Sequence, residues 1–580
     1  MPSRLRLRIA LVSIAVLAGC GGRTENDLAR LSEEFVYSSL ALYPSAATGS
    51  GYHRHLGVSL DEQLEDFSQA GLAKQREFYR SMEHRLRSLG SESLSAADRA
   101  DFDIIQDQVA LSLLELDTIR NWRHNPTMYV ELIGNALFGP FMLQYAPKET
   151  RFRHIIARMD KIPGFLEVAR RNLTDAPSIW SDVAREENEG NIRLIDGSLR
   201  QEAPPPLKAE FDRASGKALK ALRSFQTWLA TGLSKRENGW RAGRDSYARK
   251  LRFALGTDLS PEQLLKDADA ALESTRLRML EIARPMYTRQ NLGPPAQDLN
   301  RVVQAVLARI AERHATPGTY MASARRDLEE CRSFVRERVI VALPPRDNLQ
   351  VIETPEFMRG IYGVGGFNSA PALEPHLGAF YWLTPIPENW PKERIESKLR
   401  EYNDYGLKIL TIHEAMPGHY VQLEYANEIQ PAARRLLRSV FGNGPYVEGW
   451  AVYATEVMLE EGYLNDSPEL LLTFLKQQLR MIANAILDVR MQTMNMTDEE
   501  AMRLMIERTF QEKEEATAKL QRAKLSSAQL PTYFVGYREW VKLRQQSQQR
   551  KGAQFELGEF HARALRAGAV PMRALNQLLQ

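Results

Sequence analysis

Two pairs of histidines lie close together in this chain of 580 residues, and only one has an acidic residue between its members. His53 and His55 stand in Gly51-Tyr52-His53-Arg54-His55 and, with no carboxylate there, read as part of a solvated loop. The other pair stands in His413-Glu414-Ala415-Met416-Pro417-Gly418-His419. A glutamate beside the first of two metal-binding histidines is what a zinc hydrolase sets against the attacking water, as proton acceptor. In the familiar arrangement the histidines are four residues apart, about 40° around a helix and about 6 Å along it, so both imidazoles reach one ion. Here the separation is 419 − 413 = 6. On an unbroken helix that is about 120° of rotation and about 9 Å of rise, too far for shared coordination. The helix must therefore deform. Pro417 lacks the N–H that would bond back to His413, and Gly418 tolerates positive φ, so a bulge at these two residues would return His419 to the metal face. Without it the segment is only a Pro-Gly interruption flanked by histidines.

A third ligand would come from Glu448, 448 − 419 = 29 residues further on, in Val447-Glu448-Gly449-Trp450-Ala451-Val452-Tyr453-Ala454. The helix read from this point carries Trp450, Ala454, Val457 and Met458 inward. Glu448 then lies at its N-terminal end, where a buried carboxylate needs a cation. An ordinary first-turn glutamate fits the same position, so spacing alone does not decide between the two.

The surrounding elements are helical. From about Leu28 to Leu255 apolar residues recur at helical spacing, punctuated by Pro44, Pro126, Pro140, Pro147, Pro163 and the run Pro204-Pro205-Pro206. Ser260-Pro261-Glu262-Gln263 supplies a cap, a first-turn proline and a capping-box Gln. Leu265, Ala268, Leu272 and Met279 form the stripe of the helix that follows, and Val303, Val306, Leu307 and Ile310 that of another. Between about Val339 and Pro387 prolines and glycines become dense, and β-prone runs at Leu349 to Glu353 and Phe380 to Thr384 predict a small sheet or hairpin. Helical patterning resumes through Glu401 to Glu428, Glu448 to Glu461 and Pro468 to Met494, and Thr497-Asp498-Glu499-Glu500 opens one more helix with a capping box. The expected fold is mostly α, with the small sheet just before the metal-binding helix.

With 44% hydrophobic residues the chain can bury a large core without crosslinks. Its 76 basic and 73 acidic side chains are scattered, which leaves no electrostatic footprint for nucleic acid. Runs such as Arg434-Arg435 and Lys513-Glu514-Glu515 read as solvated helix faces. The N-terminus is of another kind: Arg4, Arg6 and Arg8 precede an apolar run from Ile9 to Leu17, a signal-peptide pattern too short to span a bilayer. It ends in Leu17-Ala18-Gly19-Cys20, which resembles the lipobox of bacterial lipoproteins. Residues 1–19 are thus expected to be a signal peptide and 20–27 a tether lipidated at Cys20. Residues 28–255 would form an N-terminal helical region continuous with a metal-bearing region over 256–580. The lipid would be the sole membrane attachment; with no Asp after Cys20, an outer-membrane anchor facing the periplasm is expected. The other cysteine, Cys331, then has no disulfide partner within the chain.

His413 to Gln422 and Val447 to Ala454 together resemble the paired HExxPGH and EGWA motifs of a bacterial domain-of-unknown-function family, family 885, whose members are regarded as gluzincin-like metallopeptidases. Tyr533-Phe534-Val535-Gly536, and Phe560-His561 followed by Leu565, Gly568 and Pro571, are similar to that family's C-terminal segments. The resemblance runs over nearly the whole mature chain. It implies a large helical peptidase with a deep groove, Zn²⁺ on His413, His419 and Glu448, and Glu414 as base. One departure stands out: after Asp488, where relatives often have a histidine and then a tryptophan, this chain has Gln492 and Met496, which bears on the substrate pocket.

A peptide carbonyl under attack needs a donor for its developing oxyanion, and Tyr533 is the first candidate, His561 the second. The strand Phe380 to Thr384 could pair with an extended peptide substrate as an edge strand. Two other readings stay open: a non-catalytic helical lipoprotein binding peptides or partners, and a zinc amidase acting on cell-wall peptides. Glu414 weighs against the first, since a structural zinc site is usually closed by four protein ligands and has no use for a base. Oligomeric state, peptide length and side-chain preference are not legible.

Overall fold

The computed structural model describes residues 25–294, 298–355, 359 and 363–580; the signal segment and Cys20 lie outside these residues. A first helix spans 25–42, so the last three residues of the expected tether are already helical. The amphipathic spacing of the N-terminal half yields Gln69–Leu89, Ala96–Leu114, Pro126–Met142, Lys148–Asn172, Ser178–Leu194 and Lys208–Thr231. Ser68, Ser95 and Asn125 cap three of them by accepting a backbone N–H of the first turn. Pro140 and Pro163, expected as punctuation, instead lie inside helices. For Pro140 the reason is visible. Its missing N–H orphans the carbonyl of Ala136, and the Arg158 guanidinium, wholly buried, donates to that oxygen at 2.6 Å. The same guanidinium also takes the carbonyls of Pro44, Leu60 and Gln63.

Other expected solvated features are also partnered. His53 stacks on Tyr145 and bridges Asp61 (2.9 Å) and Glu374 (3.2 Å), while His55 meets the Tyr52 hydroxyl beside a two-strand hairpin. Arg434 pairs with Asp98 and Asp101, Arg435 donates to the Ile429 and Ala372 carbonyls, and Glu515 is 6% exposed. These groups fasten helices together rather than face water.

One apolar core draws on residues from Leu28 to Leu233 and again from Tyr320 to Leu579. A second gathers Trp240 to Ile310 around Leu472 to Met491. In the second, the helix Pro261–Arg289 buries Leu264 rather than Leu265, with Ala268, Leu272 and Met279. Ser260 caps it, but Gln263 turns to Asp267 instead of closing a capping box; Thr497 and Glu500 do close one.

The sheet has three strands, β1 Leu349–Glu353, β2 Gly365–Asn368 and β3 Ala379–Leu383, and β2 is not evident in the sequence. β3 lies in the middle, parallel to β1 and antiparallel to β2. Its backbone is thus paired on both sides, which corrects the expectation of an edge strand open to a peptide. From β3 the buried Tyr381 sets its hydroxyl 3.3 Å from Thr411, so the sheet backs the helix Asp404–Glu414.

The helices Gly444–Glu460 and Thr532–Lys551 cross with their backbones in contact. At Gly449 a Cβ would lie 2.3 Å from the Gly536 backbone, and at Gly536 one would lie 2.0 Å from the Pro445 carbonyl oxygen. Above the crossing Trp540 packs on Trp450 and Tyr453 and donates to the Tyr446 carbonyl. Gly536→Ala is therefore expected to push the two helices apart and cost about 1–3 kcal/mol of stability. Urea unfolding reads this directly, and an unchanged midpoint would show slack in the crossing.

Candidate metal centre

The helix Asp404–Glu414 starts at Asn403, whose side chain accepts the N–H groups of Tyr405 and Gly406, and buries Leu407, Thr411 and Ile412. It stops at Glu414. The Met416–Pro417 peptide is cis, and Gly418 donates its N–H to the Ile412 carbonyl at 3.0 Å before a second helix, His419–Ala426, begins. A full break thus replaces the expected bulge in a continuous helix. Gly418 also serves differently from the expectation: its φ is −68°, so positive φ is not what it provides. A Cβ there would lie 1.9 Å from the His413 carbonyl oxygen and 2.4 Å from that of Ile412, so only a residue without a side chain fits. The Trp450 indole donates to the Pro417 carbonyl at 2.9 Å and to that of Gly418 at 3.3 Å. The second motif thereby holds the turn of the first.

This turn brings His413 and His419 together, with ring centroids 4.8 Å apart and planes at 83°. Glu448 meets both. Its Oε2 lies 3.6 Å from His413 Nε2 and 3.4 Å from His419 Nε2. Glu448 is in the second turn of Gly444–Glu460, not at its N-terminus as the sequence suggested, because the helix begins four residues earlier on the Asn443 cap. Hydrogen bonds to a carboxylate run about 2.7–2.9 Å, shorter than these contacts. Ligand atoms about 2.0–2.2 Å from a tetrahedral zinc lie roughly 3.3–3.6 Å from one another, the spacing of both contacts to Glu448, and all three ligand atoms lie within 4.8 Å of one another. Glu448 Oε2 is buried and has no hydrogen-bond partner. Two imidazoles and one carboxylate therefore fit a divalent cation, and among the described residues they are the one such group. Burial opposes the charge on Glu448, but His413 and His419 override it and hold the carboxyl well below its usual range. For His419, burial favours the neutral form, and Glu448 outweighs it and raises the pKa.

Glu414 is half-buried, beside His413 in sequence, and its charge is felt by His419 and Tyr533. Tyr533 lies over His413, centroids 6.4 Å apart and planes at 22°. It sits one turn before Gly536, so the glycine crossing sets its place. Burial first, and then Glu448, push the Tyr533 hydroxyl up to about 12, which keeps it a proton donor at neutral pH. Arg522 reaches its oxygen at 3.4 Å. His413 and Glu448 keep side-chain exposures of 19% and 21%, so the open side of the site reaches solvent.

The model of the family described as "Bacterial protein of unknown function (DUF885)" matches residues 44–579. The chain belongs to that family. A Shewanella oneidensis structure, provisionally described as a lipoprotein of unknown function, is similar at 30% identity and TM-score 0.79, covering 95% of this chain and 99% of that one. A second, a provisionally described lipoprotein from Colwellia psychrerythraea, aligns at 17% identity and TM-score 0.78 over 96% and 98%. Trypanosoma cruzi metallocarboxypeptidase 1 aligns over 96% and 92% at 11% identity, but its TM-score of 0.38 carries no argument. No curated protein matches the sequence.

Within this DUF885 chain His561 does not reach the metal-ligand cluster, contrary to expectation. It is wholly buried behind Trp450, with Nδ1 on the Ile340 carbonyl (2.7 Å) and Nε2 on the Tyr453 hydroxyl (2.8 Å), so both nitrogens are used. Gln492 and Met496 are core fasteners: the Gln492 amide ties Ala242 to Ser526, and the Met496 carbonyl accepts from Arg241. A cavity of about 410 Å³ lined by Asp258, Val535, Lys542 and Arg573 lies on the face of Thr532–Lys551 opposite Tyr533, away from the metal ligands. Sequence reading missed Arg522 and Lys519. Glu515, Lys519 and Arg522 recur four and three apart, a face that helical counting could have gathered.

Burial pushes His561 down to about 4 in the folded chain, against about 6.5 when unfolded. The stability it contributes is complete above pH 6.5 and is lost as the pH falls to about 4, because only the unfolded state binds the proton in that window. Denaturant unfolding at the two pH values should show His561→Gln losing about 3 kcal/mol less than the parent protein over this range.

Proposed function

We propose that this protein is a zinc-dependent peptidase of the cell envelope. What carries the reading is the convergence of His413, His419 and Glu448, with ligand atoms within 4.8 Å of one another, next to Glu414. Three protein ligands leave a coordination position open, as catalytic zinc sites do and structural ones do not. Zinc bound there would supply a Lewis acid that polarises the scissile carbonyl and makes water acidic near neutral pH.

The remaining work falls to the chain. Glu414 accepts a proton from the attacking water and returns it to the leaving amine. The Tyr533 hydroxyl, protonated at neutral pH, donates to the carbonyl oxygen as negative charge builds on it. Arg522, 3.4 Å from that oxygen, helps to orient the hydroxyl. The lipobox-like Leu17 to Cys20 and the lipoprotein descriptions of the two similar structures support a lipid anchor at Cys20. Among the described residues no helix is long and apolar enough to cross a membrane.

Metal analysis of the purified protein is expected to give one zinc per chain, removable by chelators together with peptide hydrolysis. Glu414→Gln should keep the zinc and lose about 10²–10⁴ of the rate. A metal-free protein with no chelator-sensitive hydrolysis of a peptide library would sink the proposal. Tyr533→Phe should lower kcat by about 10²–10³ with little change in KM; an unchanged kcat removes Tyr533 from the mechanism. Labelled palmitate should enter the protein and be absent from Cys20→Ala.

A further inference from the structure

The helix Lys513–Leu525 carries Glu515, Lys519 and Arg522 on one face, and this face meets the candidate metal centre through the contact of Arg522 with Tyr533 and the charge of Glu448. Glu515 is already shared: Arg480 bonds to it and Lys398 lies 3.5 Å away. Lys519 is 5% exposed and makes no hydrogen bond or ion pair with any described residue; the anions whose field it feels are Glu515 and the ligand Glu448. Arg522, one turn further on, donates among the described residues to the Gln529 side chain and the Tyr533 hydroxyl. Lys398 and Arg480 thus have Glu515, with the buried Glu401 also acting on both, whereas Lys519 and Arg522 have no ion-pair partner among the described residues. Burial first, and then Arg480 and Arg522, disfavour the ammonium form of Lys519, so an anion set beside it and Arg522 would supply the counter-charge that this buried, unpartnered amine lacks.

We propose that Lys519 and Arg522 form a subsite that binds a carboxylate of the substrate, next to the scissile bond. One tyrosine side chain separates Arg522 from His413. At roughly 3.3–3.6 Å per extended residue, a carboxylate held there lies within about three residues of the bond cut. The free C-terminus of a short peptide has this chemistry, which makes the enzyme a carboxypeptidase releasing a small C-terminal fragment. An acidic side chain next to the scissile bond has it too. The inference rests on the peptidase reading for the meaning of the subsite, but not for its detection.

The test is calorimetric titration of zinc-loaded Glu414→Gln protein, which binds without turnover, with three N-acetylated tripeptides: a free acid, its C-terminal amide, and an amide ending in glutamate. The free acid should bind at least tenfold tighter than its amide, and Lys519→Met should bring that ratio near one. Arg522→Gln, whose side chain is exposed, should lower the same ratio and serves if Lys519→Met does not fold. If the glutamate-bearing amide binds as tightly as the free acid, the subsite stands and reads a side chain. Equal binding of acid and amide to the parent overturns the subsite, even if the wild-type enzyme hydrolyses peptides. Preference for the acid with no hydrolysis by the wild type keeps the subsite and removes the peptidase.

Discussion

The backbone of Gly418 approaches the Ile412 and His413 carbonyls so closely that a side chain cannot be accommodated, and the grouping of His413, His419 and Glu448 depends on that approach. Two imidazoles six residues apart share an ion only if the chain doubles back between them. The helix therefore ends at Glu414, turns through Met416 and Pro417, and restarts at His419. Trp450 then clamps the turn through two carbonyls, from the same helix that carries Glu448. Ligand positions and turn geometry are in this way one construction, and the indole links its halves.

Much of the site could be read before the fold. The residue types at 413, 419 and 448 suggested one metal-binding group, which the fold does bring together, and the six-residue spacing demanded a distortion whose place, at Pro417 and Gly418, was also legible. The form of the distortion was not. Whether a proline and a glycine bulge a helix or end it depends on what receives the freed carbonyls, and here the receiver is Trp450, distant in sequence. Pro140 teaches the same lesson in reverse: it reads as a stop, but Arg158 satisfies the carbonyl it orphans, and the helix continues.

Elsewhere periodicity gave helices correctly and side-chain roles poorly. His561 and Tyr533 both lie in short C-terminal motifs, and nothing local says that one faces the ligands while the other is sealed against Ile340 and Tyr453. The central place of β3 was hidden because its second neighbour, Gly365–Asn368, is too short and glycine-rich to register as a strand. Glu515 and Arg434 looked like surface charge because their partners come from other helices. In each case tertiary contact settled what local pattern left open.

The glycine crossing between Gly444–Glu460 and Thr532–Lys551 joins backbone to backbone, with no side chain between. Glu448 directly precedes one of these glycines, and Tyr533 is one turn before the other. The carboxylate and the phenol are thereby fixed to a single rigid block, so their separation is set by main-chain van der Waals contact and is insensitive to rotamer changes around them. Any breathing that admits a substrate must be taken up by other parts of the fold, while this block serves as the anvil against which they move.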